Sequence, residues 1–172
     1  MTTATEVGAS TEFAIGLRDM MVDALRRELA VTERVIEAMP ERRFDYRPAP
    51  KSKAAGELAW HMSYGTIEML RGVVELKFVI KDEPAIPDKA EMLRIWMTQF
   101  PAVLERVEGM TAEQLLTPVD FYGAFKLPVF TYLPIISNHF IHHRGQLTAY
   151  LRPMGGKVPS IYGGSADEPW EP

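Results

Sequence analysis

Three of the chain's four histidines lie close together, within the segment Asn138–Gln146. Two of them, His139 and His143, are four residues apart, so on a helix their rings project from the same face one turn apart. That spacing suits two imidazole nitrogens that reach a single metal ion, as in helical His-x-x-x-His zinc sites. His142 lies at the flank of this face. Taken alone, the pair is as compatible with coincidence as with a metal site.

The fourth histidine, His61, lies at the edge of the apolar stripe of another segment with helical periodicity. An imidazole that faces a helix-bundle interior needs partners for both ring nitrogens. A metal on one nitrogen and a hydrogen-bond acceptor on the other would satisfy it. Taken alone, His61 is better explained as a hydrogen-bonded core residue. Its placement on a helix that a bundle brings towards the other pair favours a metal site formed by His61, His139 and His143.

The elements that position these residues follow from the hydrophobic spacing. Apolar residues recur at helical intervals and predict four long helices, over about 10–39, 53–77, 88–108 and 128–152. Pro101 is expected to kink or break the third helix. Two further segments, 117–127 and 157–172, are predicted to be irregular loops, and the first of them is expected to contain short extended pieces. We therefore predict an all-α four-helix bundle, with residues 1–9 as a disordered tail and 10–172 as a single domain.

The last long helix carries more apolar surface than one bundle face requires. Apolar side chains lie beyond its main stripe, at Phe130, Leu133, Phe140 and Leu151. A second covered side is expected, contacted either by the C-terminal segment or by another subunit, and we predict a homodimer. Arg144 points away from the histidine face and is expected to pair across a helix or subunit contact. Gly145 is interpreted as a point of close helix packing.

Composition narrows the class of protein. The chain has 172 residues, a formal charge of −4 and a pI near 5.6, which argues against a nucleic-acid partner. It contains no cysteine, so any thiol chemistry needs a thiol from outside. No run of about 18 apolar residues is present, so no membrane association is expected. The first residues lack the pattern of a signal peptide, and we expect a cytoplasmic protein.

Two motifs together resemble a known family. Leu58-Ala-Trp-His61-Met62, followed much later by His139-Phe-Ile-His-His143-Arg-Gly-Gln-Leu147, is similar to the signature of the DinB-like (YfiT-type) metalloenzyme family. The His-x-x-x-His-Arg-Gly-Gln motif is its specific part, and the resemblance covers roughly residues 13–163. It implies a four-helix bundle with crossover connections that binds a divalent metal through three histidines, which match His61, His139 and His143.

The same resemblance implies a range of activities. Characterised relatives include thiol-dependent transferases and a mycothiol-dependent maleylpyruvate isomerase. The resemblance thus favours a thiol-dependent transferase of small molecules, with a small thiol cosubstrate and a zinc or nickel ion, iron and manganese being alternatives. Three neutral imidazoles leave an open coordination position, which is typical of catalytic zinc sites. Two alternatives stay open: a hydrolase that generates hydroxide on the ion, and a non-catalytic bundle in which the ion ties two helices together.

Two further residues are candidates for acid–base chemistry. Glu68 follows His61 by seven residues and lies on nearly the same side of its helix. Tyr150 lies two turns beyond His143 on the last helix, on the histidine side. Either could accept or donate a proton beside a bound metal, although an ordinary surface or packing role explains each residue more simply.

Overall fold

The structure is a computed structural model, and it describes residues 11–170. The predicted tail 1–9 lies outside this range. In chain order the elements are α1 (Thr11–Glu37), α2 (Ala55–Val74), α3 (Lys89–Glu108), the short α4 (Ala112–Leu116), β1 (Pro118–Phe121), β2 (Phe125–Pro128) and α5 (Tyr132–Met154). Two short 3₁₀ turns lie between these elements, one after α1 (Glu41–Arg43) and one directly before α5 (Val129–Thr131). The four long helices confirm the predicted all-α bundle. None of the helices in the described range is long and apolar enough to cross a bilayer.

The helices are connected by crossovers. Helix α1 packs against α3 and α5, and α2 packs against the same two helices, so α1 and α2 lie diagonally opposite each other. The connector 38–54 therefore crosses one end of the bundle, as the long predicted link between the first two helices allowed. The arrangement places α2 directly beside α5, which is the contact that a site shared by His61 and the two histidines of the last helix requires.

The connector between α2 and α3 runs back along α2. Its contacts follow one another in reverse order along the helix: Phe78 at Gly72, Lys81 at Glu68, Glu83 at His61, and Pro84 at Trp60. The segment 77–88 has no regular secondary structure and returns the chain to the N-terminal end of α2. Twelve extended residues span about 40 Å, enough to pass a helix of twenty residues, whose length is about 30 Å. Because of this return, α3 runs parallel to α2.

The turn that starts this return depends on a glycine. Helix α2 ends at Val74, three residues before the predicted end, and Leu76 adopts a positive φ of 53° that reverses the chain. The ring of Phe78 then lies directly on Gly72: an added Cβ there would come within 2.7 Å of Phe78 Cε1. Because real Cβ atoms do not approach so closely, only glycine at this position lets the connector lie against α2.

Aromatic stacking joins the helices in the core. Trp96 stacks on Phe100 and Phe140, with ring centroids 4.1 and 5.4 Å away, and its Nε1 donates to Leu29 O at 3.1 Å. Trp96 thus links α3 to α5 and α1. The break considered at Pro101 does not occur, because α3 continues through it as one helix. Buried residues on both sides of the proline, Phe100 and Leu104, anchor both halves of α3 in the core.

The segment 117–127 contains more order than a loop. Strands β1 and β2 form an antiparallel hairpin in which Phe121 pairs with Phe125, so the extended pieces expected there are paired with each other. The hairpin is fixed to the start of α5 by Tyr132, whose hydroxyl donates to Val119 O at 2.5 Å and accepts from Leu127 N at 3.0 Å.

The surplus apolar surface of the last helix is covered within the chain. The residues behind the dimer prediction, Phe130, Leu133, Phe140 and Leu151, are all buried. They therefore no longer argue for a second subunit, and the homodimer stays a prediction without that support. The interpretation of Gly145 is wrong, because an added Cβ there would meet nothing within 4 Å. This glycine is exposed on the helix surface rather than packed against a neighbour.

Arg144 forms a buried ion pair, although it lies on the side of α5 away from the histidines. Its side chain donates to Glu28 Oε2 of α1 at 2.5 Å and to Thr32 Oγ1 at 3.1 Å, and it also bonds to the Tyr162 hydroxyl. Tyr162 in turn donates to Glu28 Oε1 at 2.8 Å. The predicted pairing across a helix is thus found, and the contact also fastens the C-terminal segment to α1.

Candidate metal centre

The structure brings together the three histidines that the sequence singled out. His139 and His143 lie one turn apart on α5, and His61 faces them from α2. One ring nitrogen from each lies within 4.8 Å of the other two, and all three residues are partly buried. The shortest separation joins Nε2 of His139 to Nε2 of His143, at 3.1 Å. Among residues 11–170 this is the only cluster of three or more metal-ligating side chains.

These separations can be compared with those of a metal site. Two nitrogens bound to one tetrahedral zinc, at about 2.0–2.1 Å each, lie about 3.3 Å apart. The distance between the His139 and His143 nitrogens is close to this value, and because the three nitrogens lie within 4.8 Å of one another, His61 has to approach by at most about 1.5 Å. The cluster is therefore compatible with a divalent metal ion after a small movement of side chains.

Hydrogen bonds to the other ring nitrogens orient two of the imidazoles. His143 Nδ1 lies 2.8 Å from Gln146 Oε1, and His61 Nδ1 lies 3.3 Å from Glu83 Oε1. An amide or carboxylate oxygen accepts, so each Nδ1 carries the proton and each Nε2 keeps its lone pair. Metal-binding histidines in proteins are held in this way by an acceptor behind the ring. The arrangement thus presents lone pairs at the cluster.

His139 is the most enclosed of the three. Burial, together with the neighbouring imidazoles, lowers the pKa of His139 to about 4. Its Nδ1 is buried and has no hydrogen-bond partner among the described residues. Burial also lowers the pKa of His143, against the opposing effect of its bond to Gln146. Both rings are therefore neutral at pH 7, and a neutral imidazole can bind a metal ion without first losing a proton.

His142 stands outside this cluster. It is exposed, and its ring centroid is 5.1 Å from that of His143. Its position on the helix, one residue before His143, turns it away from the point where the other three nitrogens converge. The flank position inferred from the sequence is thus found, and His142 provides a natural control for substitutions at His143.

A cleft of about 470 Å³ opens beside the cluster. His61 and His139 lie on its surface, and its walls come from α2, the connector 77–88 and the tip of the hairpin. The return of the connector along α2 forms one wall of this cleft. A ligand of the cluster would therefore have direct access to a space large enough for a small molecule.

The two candidate acid–base residues differ in their surroundings. Glu68 lines the cleft and is bonded to Arg71 and, at 3.0 Å, to Lys81. Burial would raise the pKa of Glu68, but these two cations outweigh it and lower the pKa, so the group is a carboxylate at neutral pH. Tyr150 packs edge-on against Tyr46 at 5.9 Å and is not among the residues that line the cleft.

Glu83 is the residue that sequence reasoning missed. It contacts His61 although the two are 22 residues apart, and it lies on a connector with no periodicity to mark its inner side. The signal that could have found it is the length of the connector, which suggests a return path along α2. Gln146 belongs to the His-x-x-x-His-Arg-Gly-Gln motif, but its bond to His143 was not predicted.

The fold and the cluster define a class: four-helix-bundle proteins with three convergent histidines suited to a divalent metal. The chain belongs to the DinB family, whose sequence profile matches residues 17–171.

Imidazole ligands suit zinc, nickel, iron and copper ions better than magnesium or calcium.

Individual relatives agree with this assignment. The chain is 29% identical to "Uncharacterized protein YjoA" of Bacillus subtilis, over 73% of this chain and 82% of the relative, and 24% identical to YrdA of the same organism, over 82% and 85%. The fold also resembles the crystal structure of YjoA, which is a DinB-like protein. The superposition has a TM-score of 0.68 at 25% sequence identity and includes 83% of this chain and 97% of the YjoA chain. The crystal structure of a DinB-like protein from Bacillus cereus superposes with a TM-score of 0.70 at 25% sequence identity. This superposition includes 83% of the present chain and 95% of the Bacillus cereus chain.

Proposed function

We propose that the protein is a divalent-metal-dependent enzyme that acts on small molecules, with His61, His139 and His143 as the metal ligands. The observation that carries this proposal is the position of the cluster at a cleft of about 470 Å³. A structural zinc site normally has four protein ligands, whereas a catalytic one has three and an open position. Among the described residues no fourth side chain joins the cluster, and the cleft borders it at His61 and His139.

The reaction we favour is thiol-dependent group transfer. A divalent ion held by three neutral imidazoles supplies Lewis acidity that lowers the pKa of a thiol or water bound to it. The chain has no cysteine, so the thiol is a cosubstrate. In the transfer, the thiol loses its proton, its sulfur forms a bond to an electrophilic carbon of the acceptor, and the leaving group departs with the bonding electrons.

The chain's own residues have distinct roles in this proposal. Glu83 holds the proton on His61 Nδ1 and so directs the other nitrogen of that ring to the cluster, while Gln146 does the same for His143. Glu68, a carboxylate on the cleft wall, is a candidate acceptor for the thiol proton. Its bonds to Arg71 and Lys81 make the carboxylate a weaker base. For Tyr150, an acid–base role is supported only by its position two turns beyond His143, because its ring packs on Tyr46.

Cobalt substitution tests the thiol reaction. Tag-free protein loaded with Co²⁺ is titrated with 2-mercaptoethanol while the absorption spectrum is recorded. A sulfur-to-cobalt charge-transfer band that saturates with thiol is expected in the wild type and not in His143→Gln. A cobalt-loaded protein whose spectrum no thiol changes, but which cleaves an activated ester in a metal-dependent way, would contradict thiol transfer and support the hydrolase alternative. Full metal occupancy without either response would support the non-catalytic bundle.

Two further predictions accompany this function. A cytoplasmic location fits a thiol cosubstrate, because small thiols are kept reduced in that compartment.

The homodimer predicted from the sequence is tested by light scattering. A mass of twice 19.4 kDa is the expected result, and a mass of 19.4 kDa would contradict the prediction.

A further inference from the structure

The cleft walls are predominantly apolar. Six hydrophobic or aromatic side chains line them: Tyr64 and Met69 from α2, Val79 and Ile80 from the connector, and Phe121 and Tyr122 from the hairpin. Burial raises the pKa of both tyrosines, so their hydroxyl groups are uncharged at neutral pH. A ligand body in the cleft would thus meet hydrocarbon and aromatic faces on three sides.

The charged residues of the cleft already have partners within the chain. Lys81, the one cation among the described cleft-lining residues, donates to Glu68 at 3.0 Å, and Glu68 is also bonded to Arg71. Glu83, the remaining carboxylate of the cleft, lies 3.3 Å from His61. A ligand with several negative charges would therefore find no unpaired cation on these walls, and it would have to break an existing ion pair to gain one.

Tyr122 is held in a conformation that large side chains avoid. It lies in the hairpin turn with a φ of 54°, in the left-handed region where asparagine and glycine are favoured. Its ring lies 4.7 Å from Phe121 and 5.7 Å from Phe78, and it is 39% exposed at the cleft. A bulky ring at a strained turn position, placed on a cleft wall, is the kind of outlier that suggests a binding role.

The connector adds a second exposed apolar group. Ile80 is 82% exposed and lines the cleft, and Val79 beside it is 46% exposed. Exposed apolar side chains that border a cavity gain stability only when a ligand covers them. Ile86, on the same connector, is 44% exposed but does not line the cleft, so it offers a matched control.

We propose that this cleft binds the acceptor substrate, and that this substrate has an uncharged aromatic or otherwise apolar body with a single polar group at the end that meets the histidine cluster. The metal-facing part of this inference rests on the proposed function, whereas the apolar part rests on the cleft walls alone. The volume of about 470 Å³ lies in the lower half of the range found for small-molecule pockets. This volume suits a body of one or two rings.

Two hydroxamates test the inference on the zinc-loaded, tag-free protein. Benzohydroxamate and acetohydroxamate share one chelating group and differ in an aromatic body, and their affinities are measured by calorimetry. Benzohydroxamate is expected to bind about tenfold more tightly, because the cleft covers its ring. Ile80→Asn and Tyr122→Asn should each reduce this preference several-fold, and Ile86→Asn should leave it unchanged.

Stability separates a binding role of Tyr122 from a structural one. Asparagine suits the left-handed backbone, so Tyr122→Asn should shift the thermal midpoint by less than about 3 °C. The Ile80 variant changes a largely exposed side chain and should fold normally. Equal affinities of the two hydroxamates in the wild type would overturn the inference, as would a preference that both cleft substitutions leave intact.

A metal-free arm distinguishes failure of this inference from failure of the proposed function. Chelator-treated protein is titrated with 2-naphthylmethanol, which has an apolar body and no strong chelating group, and binding is followed by NMR. Saturable binding that Ile80→Asn weakens and Ile86→Asn does not would support the apolar cleft, even if the protein failed to bind zinc. Absence of such binding would overturn the inference, even if zinc bound fully.

Discussion

At the scale of single residues, the site depends on what stands behind each imidazole. The His61 and His143 rings each have an oxygen at Nδ1, from Glu83 and Gln146 respectively. These contacts fix which nitrogen of each ring bears a proton. At two of the three proposed ligands, the acceptor therefore sets which ring nitrogen is available to a metal ion.

Substitution of Glu83 tests this interpretation. Glu83→Ala removes the acceptor behind His61 and should weaken zinc binding by about 10- to 100-fold, with little change in the stability of the metal-free protein. Zinc affinity is measured by competition with a chromogenic chelator. Asp82→Asn, one residue away on the connector and not part of the cleft lining, is the control. Equal affinities in the wild type and in Glu83→Ala would show that the contact plays no part in metal binding.

At the scale of elements, the connector 77–88 and α2 form one unit. The connector supplies a wall of the cleft and the partner of His61, and Gly72 allows it to lie against the helix. The site therefore depends on a segment without regular secondary structure as much as on the helices.

Two glycine substitutions should shift stability in opposite directions. Gly72→Ala forces the Phe78 ring away from α2 and should destabilise the protein by about 1–2 kcal/mol, despite the better helix propensity of alanine. Gly145→Ala occupies open space in α5 and should stabilise it by up to about 1 kcal/mol. Urea unfolding of the two variants measures both changes. Stabilisation by both substitutions would mean that Phe78 is not held against Gly72.

The sequence predicted those features that depend on residues recurring at regular intervals along the chain. Helical spacing located the four long helices, and the four-residue interval placed His139 and His143 on one face. Glu83 could not be found in this way, because an extended connector has no repeat that marks its inner side. The pairing of Arg144 across a helix was predicted, but its partner was not, because Glu28 of α1 lies 116 residues away in the chain; this pairing leaves the Arg144 side chain only 2% exposed.

At the scale of the whole molecule, Arg144 joins distant parts of the chain. It bonds to Glu28 on α1 and to Tyr162 in the C-terminal segment, and its guanidinium lies 5.2 Å from the ring centroids of both Phe140 and Tyr162. The site on one side of α5 and this buried pair on the other hold the helix in place between α2 and α1.

Removal of Arg144 should destabilise the whole fold. Arg144→Met leaves the largely buried Glu28 carboxylate without its cationic partner, although the Tyr162 hydroxyl still donates to it, and the loss of such a cation typically costs about 3–5 kcal/mol. The thermal midpoint should fall by roughly 6–20 °C. Arg152→Met is the control, because its bond to Asp167 lies at the surface and should contribute less than about 1 kcal/mol. Similar midpoints for the two variants would contradict the assigned role of Arg144.

The central claim is that His61, His139 and His143 hold one divalent metal ion. The most direct test is the zinc content and thermal stability of tag-free wild type, His143→Gln and the control His142→Gln. Wild type and His142→Gln should each bind one zinc ion per chain and gain thermal stability from it, because a ligand of the folded state alone stabilises that state.

In His143→Gln, stoichiometric zinc binding should be lost, since two imidazoles hold the ion far more weakly than three. The stability loss should then appear chiefly in the presence of zinc and be small in chelator-treated protein. Unchanged zinc content in His143→Gln, together with equal losses of stability with and without zinc, would show that His143 is a packing residue and that the metal site does not exist.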